Sequence, residues 1–236
     1  GKLVLKQRDT AVPEITNNPA EQKLNAEEAE RTARNGGADV VFLGDSLTYH
    51  LAGRGSRGMK GRGRQPYLDF DVQFKKLEQS LKASMRVRGI SGDTTSQLLW
   101  RLEQGGEMVG PPPKVVVLLI GTNDLLRGIR PESITPGVKA NLQKLLSWGP
   151  RVRVLLMALF PRTDDLCKAH RETVFPKILR MAYCPEKTLE VQQSQYTEPI
   201  NKVNKGMEAL ARSAAFKSRV TFLDCGARFV QRSADG

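Results

Sequence analysis

Three short polar stretches in this 236-residue chain carry residue types that acyl transfer needs. Ser46, within Gly44-Asp45-Ser46, supplies a hydroxyl nucleophile. Gly92, within Ser91-Gly92-Asp93, supplies a backbone N–H with no side chain to crowd a substrate. Asn123, within Gly121-Thr122-Asn123-Asp124, supplies a side-chain amide donor. A serine that attacks an ester carbonyl needs donors aimed at the oxygen that turns negative. Losing one such donor costs about 10²–10³ in rate in studied hydrolases. Each stretch also has a plainer reading. Ser46 would serve as a helix N-cap, Asp45 as turn chemistry, and Asp93 and Asp124 as caps and loop anchors. One such stretch is weak support for chemistry; three in matching positions are strong.

The positions match because each stretch ends an apolar run. Val40 to Leu43 reads as a buried strand, closed by Gly44. Met85 to Ile90 alternates like a strand and ends at the turn around Gly92. Lys114 to Ile120 is the most apolar run and reads as the central parallel strand, buried on both faces. Val152 to Phe160 and Arg219 to Asp224 supply two further strands.

Helical patterns separate the strands. Residues 21–35 are strong helix formers with Leu24, Ala29 and Ala33 as a modest apolar stripe, stopped by Gly36-Gly37. Residues 68–83 place Phe70, Phe74, Leu77 and Leu81 at three/four spacing. A helix capped by Asp93 or Thr94 turns Leu98, Leu99 and Leu102 inward, and others span Pro136 to Trp148 and about Glu198 to Ala214. Strand and helix alternate five times. That predicts an α/β fold with a doubly wound parallel sheet of about five strands, in which ligands bind at the carboxyl ends.

The remainder predicts one domain, residues 21–236, behind an extended arm at residues 1–20. A long irregular insertion is expected over residues 161–195. Residues 53–64 alternate five basic residues, Arg54, Arg57, Lys60, Arg62 and Arg64, with five glycines, and cannot pack a core. With the net charge of +12 they suggest contact with a polyanion such as RNA, against the plainer reading of a solvated insertion. No run of 18 apolar residues exists, so no membrane-spanning helix is expected. Cys167, Cys184 and Cys225 are odd in number and lack metal-type spacing. Reduced thiols follow, and with them an intracellular setting, cytoplasm or organelle matrix.

Gly44-Asp45-Ser46-Leu47 resembles the first block of the SGNH/GDSL hydrolases. Ser91-Gly92-Asp93-Thr94-Thr95 resembles the second block, and Gly121-Thr122-Asn123-Asp124 the third. The run Gly89-Ile-Ser-Gly-Asp-Thr-Thr with Leu99-Trp-Arg-Leu102 is especially similar to the platelet-activating-factor acetylhydrolase catalytic subunits and their relatives. The resemblance covers about residues 21 to 230. It implies a three-layer flavodoxin-like fold and a serine ester hydrolase that uses no metal or other cofactor and works through an acyl-enzyme. It casts Ser46 as nucleophile and first oxyanion donor, with Gly92 and Asn123 as the other donors.

One part of the pattern is missing. The family's general base lies in an Asp-x-x-His block shortly after the last strand, and no Asp-x-x-His occurs in these 236 residues. A serine hydroxyl without a base is a poor nucleophile. His50, four residues after Ser46, and His170, in the insertion, are weak substitutes. Asp235 reads as a tail residue. Two expectations follow. Either the Asp-His pair lies beyond Gly236 and the natural protein hydrolyses acyl or acetyl esters, or the chain is a catalytically inactive subunit of a larger assembly, organellar or RNA-containing.

Overall fold

The computed structural model describes residues 4–51, 68–162 and 194–226. The basic stretch 53–64, most of the 161–195 insertion, His170, Cys167, Cys184 and Asp235 lie outside the described residues. Five strands form one parallel sheet in the order β2-β1-β3-β4-β5: β1 (Val40–Gly44), β2 (Met85–Gly89), β3 (Val115–Leu119), β4 (Arg153–Met157) and β5 (Val220–Leu223). The helices are α1 (Pro19–Arg34), α2 (Ser46–Leu51), α3 (Leu68–Leu81), α4 (Thr95–Glu103), α5 (Thr122–Leu126), α6 (Pro131–Ser147) and α7 (Thr197–Arg212).

The strand order reverses at β1. Right-handed crossovers therefore put α2 and α3 on one face of the sheet and α4, α6 and α7 on the other. On the second face α4 packs against α6, and α6 against α7. Alternate strand residues Val41, Leu43, Val116, Leu118, Val154 and Leu156 bury against Leu98, Leu102, Val138, Leu142, Leu145, Val203 and Met207. The inward placement of Leu98, Leu99 and Leu102 agrees with the helical spacing.

The opposite face is less covered than expected. Val115 and Val117 of β3 are only half-buried, so this strand is not sealed on both sides by the described residues. The physical reason is cover: α2 is six residues long, and α3 reaches β1 through the edge-on Phe42–Phe74 pair. Leu77 and Leu81 of α3 stand 43% and 58% exposed.

Three helices depart from the sequence expectation. α6 begins at Pro131, not Pro136, because a proline at the first helical position lacks only a donor that would be unpaired anyway; Pro136 is carried inside the helix. α5 is a short helix where only a polar loop was expected. α1 keeps only part of its predicted face. Leu24 is exposed, while Glu21, Asn25, Glu28 and Thr32 join Ala29 on the buried side. That polar stripe is buried because its partners on β2 and the loop beyond are polar, as described below. The arm before α1 runs extended. Lys6 forms a bridge to Ile129, and Glu14 N–H donates to Ser96 O. Cys225 is a free, half-buried thiol.

Candidate active site at the carboxyl edge of the sheet

β1, β2 and β3 stop in register, with Gly44 opposite Gly89 on one side and Leu119 on the other. Gly44 and Gly89 have to be glycines. A Cβ on Gly44 would overlap Leu119 O and Thr48 Oγ1, and one on Gly89 would overlap the Tyr49 and Asp45 backbone. The first loop therefore lies directly against its neighbours. β1 and β3 flank the point where the strand order reverses, where ligands collect in open α/β sheets.

Ser46 opens α2 and is half-buried. Its Oγ has no hydrogen-bond partner among the described residues. Gly92 takes a φ of +86° in the turn closed by Asp93 N–H to Ile90 O at 3.3 Å. Only a glycine adopts that conformation at no steric cost, which makes it the third residue of a type II-like turn. Gly92 is exposed, and its N–H donates to no described acceptor. Asn123, buried in the first turn of α5, spends one amide hydrogen on Asp93 O at 2.9 Å. Its second hydrogen stays available. The structure thus brings the Ser46, Gly92 and Asn123 loops together, with a hydroxyl, a backbone N–H and an amide hydrogen uncommitted.

The loops are tied to one another by a guanidinium. Arg101, fully buried on α4, donates from all five of its N–H groups. Nη1 donates to Gly44 O at 3.1 Å and Asp93 Oδ2 at 3.0 Å. Nη2 donates to Arg88 O at 2.9 Å and Glu107 Oε1 at 2.5 Å, and Nε to Glu107 Oε1 at 3.0 Å. The last residue of β1, the end of β2 and the second loop therefore share one rigid planar group. The second loop has further anchors. Thr16 of the arm donates to Asp93 Oδ1, and Ser91 N–H donates to Glu21 Oε2 of α1 at 2.7 Å. Arg88 Nε donates to Glu28 Oε2, which explains the buried polar face of α1. The third loop is fixed by Asp124, whose carboxylate accepts from the N–H and the hydroxyl of Thr95. Thr94 caps α4 in a capping box with Gln97, resolving the choice between Asp93 and Thr94.

Asp45, Asp93 and Asp124 leave the three strand ends side by side and buried. Burial pushes the Asp45 carboxyl up to about 7; the Leu47 N–H opposes the rise, and the neighbouring Asp93 and Asp124 carboxyls add to it. Burial pushes Asp124 up to about 6 against its bonds to Thr95. Asp93 is also raised by burial, although Arg101 beside it favours the charged form. Asp45 Oδ2 has no hydrogen-bond partner.

No base reaches the serine among the described residues. His50 sits in the last turn of α2, its ring edge-on to Tyr49 with centroids 5.8 Å apart. No described group of three or more His, Cys, Asp or Glu residues is arranged to hold a metal ion.

The family model of the GDSL-like lipases and acylhydrolases matches residues 42–235, all three loops included. The chain belongs to this family. It is 32% identical over 143 residues to the bovine (Bos taurus) platelet-activating factor acetylhydrolase IB subunit alpha1, covering 60% of this chain and 47% of that one. To the human (Homo sapiens) alpha2 subunit it is 36% identical over 126 residues, covering 53% of this chain and 45% of that one. The chain thus spans about half the length of the curated relatives it matches. Among solved structures, a GDSL-like lipase from Bacteroides thetaiotaomicron superposes with a TM-score of 0.54 at 17% identity, covering 92% of this chain and 82% of that one. At that identity the likeness shows the fold.

Sequence reasoning missed the residues that hold this GDSL site together: Arg101, Glu107, Glu21, Thr16 and Arg127. One signal was present. Arg101 falls three residues after Leu98 and beside Leu102, on the apolar side of α4, where an unpaired charge would not be tolerated. The others give no local signal, because each is an ordinary polar residue that becomes special only through a distant partner.

Proposed function

We propose that the protein is a serine ester hydrolase in which Ser46 attacks and Gly92 and Asn123 stabilise the oxyanion. One observation carries the reading: a serine hydroxyl, the Gly92 N–H and one Asn123 amide hydrogen are left uncommitted on three loops that buried hydrogen bonds tie to one another. Such fixed donors need no reorganisation as charge develops. In the proposed step, Ser46 Oγ bonds to the acyl carbon while its proton passes to a base. The carbonyl oxygen takes the negative charge and accepts from the N–H groups of Ser46 and Gly92 and from Asn123 Nδ2. The intermediate then expels the alcohol, which receives the proton, and leaves an acyl-serine. Water repeats the sequence and releases the acid. The reading takes the base to be the histidine of an Asp-x-x-His pair outside these 236 residues. Similarity to the acetylhydrolase subunits favours short acyl groups such as acetyl.

The test uses the natural protein with 4-nitrophenyl acetate. Ser46→Ala should abolish turnover, and Asn123→Ala should lower kcat about 10²–10³-fold through the lost donor. Turnover unchanged in Ser46→Ala would overturn the reading. A second reading, an inactive subunit used for binding, is favoured by the lack of any base beside Ser46 among the described residues. No turnover by the unaltered natural protein, across acyl chain lengths, would select it.

A further inference from the structure

Arg127 differs from the other arginines around this site. Arg101 and Arg88 are buried and paired with Glu107, Asp93 and Glu28. Arg127, the residue that ends α5, is half-buried and forms no ion pair among the described residues. Its Nη2 donates to Gly92 O at 3.0 Å and to Gln97 Oε1 at 3.1 Å. Those two bonds use both Nη2 hydrogens, and both acceptors are neutral. A guanidinium carries five N–H donors, so the Nε–H and both Nη1–H groups stay uncommitted. Two bonds, one to the Gly92 turn and one to the Gln97 side chain of α4, hold the planar group in place, which removes much of the side-chain entropy an anion would otherwise have to overcome.

Its position is specific. Gly92 is the same residue whose N–H is proposed to meet the oxyanion, so the cation lies one peptide away from the reacting carbonyl. Asp124, whose carboxyl feels this charge, is buried and committed to Thr95, and it makes no direct bond to Arg127. Leu47 and Leu126, the neighbours of Ser46 and Arg127 in sequence, are 39% and 41% exposed. The rim therefore combines apolar surface with one fixed positive charge that forms no ion pair among the described residues. A neutral ester has no use for that charge, whereas a carboxylate or phosphate on the ester would form charge-assisted hydrogen bonds to it.

We infer that Arg127 is a specificity-determining residue that receives an anionic group, a carboxylate or a phosphate, carried by the substrate beside the scissile ester. The inference rests on the hydrolase reading for the word substrate, and its first test does not need turnover.

In that test the ¹⁵N-labelled chain is titrated at constant ionic strength with inorganic phosphate and, separately, with acetate. The Arg127 Nε–H and Gly92 amide resonances are followed. Saturable shifts of both with at least one anion are expected, and which anion saturates tells phosphate from carboxylate. The shifts should vanish in Arg127→Gln and persist in Ser46→Ala. No saturation with either anion, or equal binding by Arg127→Gln, would overturn the proposal. In a second test the natural protein hydrolyses 4-nitrophenyl acetate and its anionic counterpart, 4-nitrophenyl hemisuccinate. Arg127→Gln should lower kcat/KM at least tenfold more for the hemisuccinate. An equal loss on both esters would make Arg127 a support for the Gly92 turn and overturn the anion role. If Ser46→Ala keeps its turnover, the serine reading fails while the titration still reports on Arg127.

Discussion

Replacing Arg101 by methionine is expected to be among the most damaging single changes in the molecule. The substitution preserves much of the apolar stem and removes the guanidinium. It takes both hydrogen bonds from Glu107 Oε1, which accepts from Nε and Nη2, leaving that carboxylate only Arg88 Nη1 at 3.9 Å from Oε2, and it leaves Asp93 with Thr16 alone. Both carboxylates are 1% exposed. Removing one partner of a buried pair costs about 3–5 kcal/mol. The Arg88 carbonyl keeps the Gly44 N–H as its donor in the β1–β2 ladder. The Gly44 carbonyl is protected, because Ile90 N–H also donates to it at 3.1 Å. The expected loss is about 3–5 kcal/mol, a large part of the ~5–15 kcal/mol that a domain has in total. Urea unfolding, followed by the fluorescence of Trp100 and Trp148, measures it. Glu107→Gln in the Arg101→Met background should recover part of the loss, since the stranded charge goes with it. An interaction energy of about 2 kcal/mol or more is expected from the double-mutant cycle. A single-variant loss under about 1 kcal/mol, or strict additivity in the cycle, would refute the view of Arg101 as the group that binds the loops together.

Two further outcomes are expected. The Asp45 carboxyl is raised from 3.8 to about 7 by burial, so its neutral form is favoured only in the folded state. Stability from this group is full below pH ~4 and is lost as pH rises through ~7, and Asp45→Asn should remove that slope. Between pH 5 and 8 the wild type should therefore lose about 2–3 kcal/mol relative to Asp45→Asn in urea unfolding, and a pH-independent difference would count against it. For the basic stretch, binding to a single-stranded RNA oligonucleotide should weaken steeply with salt and fall further when Arg54, Arg57, Lys60, Arg62 and Arg64 become glutamine; binding indifferent to both changes removes the polyanion reading.

What could be read in the sequence, and what could not, divides by the range of the interaction. The strands and α4 were legible because apolar spacing and the Thr94-Gln97 capping box are local patterns. The placement of Ser46, Gly92 and Asn123 at three neighbouring strand ends was legible because each follows an apolar run, and the sheet order does the rest. The inward face of α1 was not legible. Its Glu21 and Glu28 look like a solvated stripe until Ser91 N–H and Arg88 are placed against them, 70 and 60 residues away in the chain. The start of α6 was misplaced for a similar reason, since Pro131 and Pro136 are both plausible first residues and packing of Ile134 and Val138 decides between them. Arg127 gave no signal at all, because its partners Gly92 and Gln97 lie 35 and 30 residues away.

The same division explains why the site is built so expensively. Apolar packing holds α4, α6 and α7 against the sheet, but it cannot fix the rotation of a single peptide in a loop. Hydrogen bonds can, and buried ones resist exchange with water. The three loops are therefore locked by buried polar groups, Arg101 with Glu107 and Asp93 and Asp124 with Thr95, of which an ion pair is often no more stabilising than well-packed apolar residues of the same volume. Asp45 goes further. It is buried with one oxygen unpartnered and a carboxyl raised toward neutrality, and it directly precedes Ser46. Stability alone would not retain that residue. Its one visible bond, accepting from Leu47 N–H at 2.9 Å, closes the first turn of the loop and sets the direction in which Ser46 leaves the strand. A loop that merely capped a helix would not need a fully buried carboxyl for this, whereas the proposed nucleophile, which has to be aimed at a carbonyl held by two fixed donors, would.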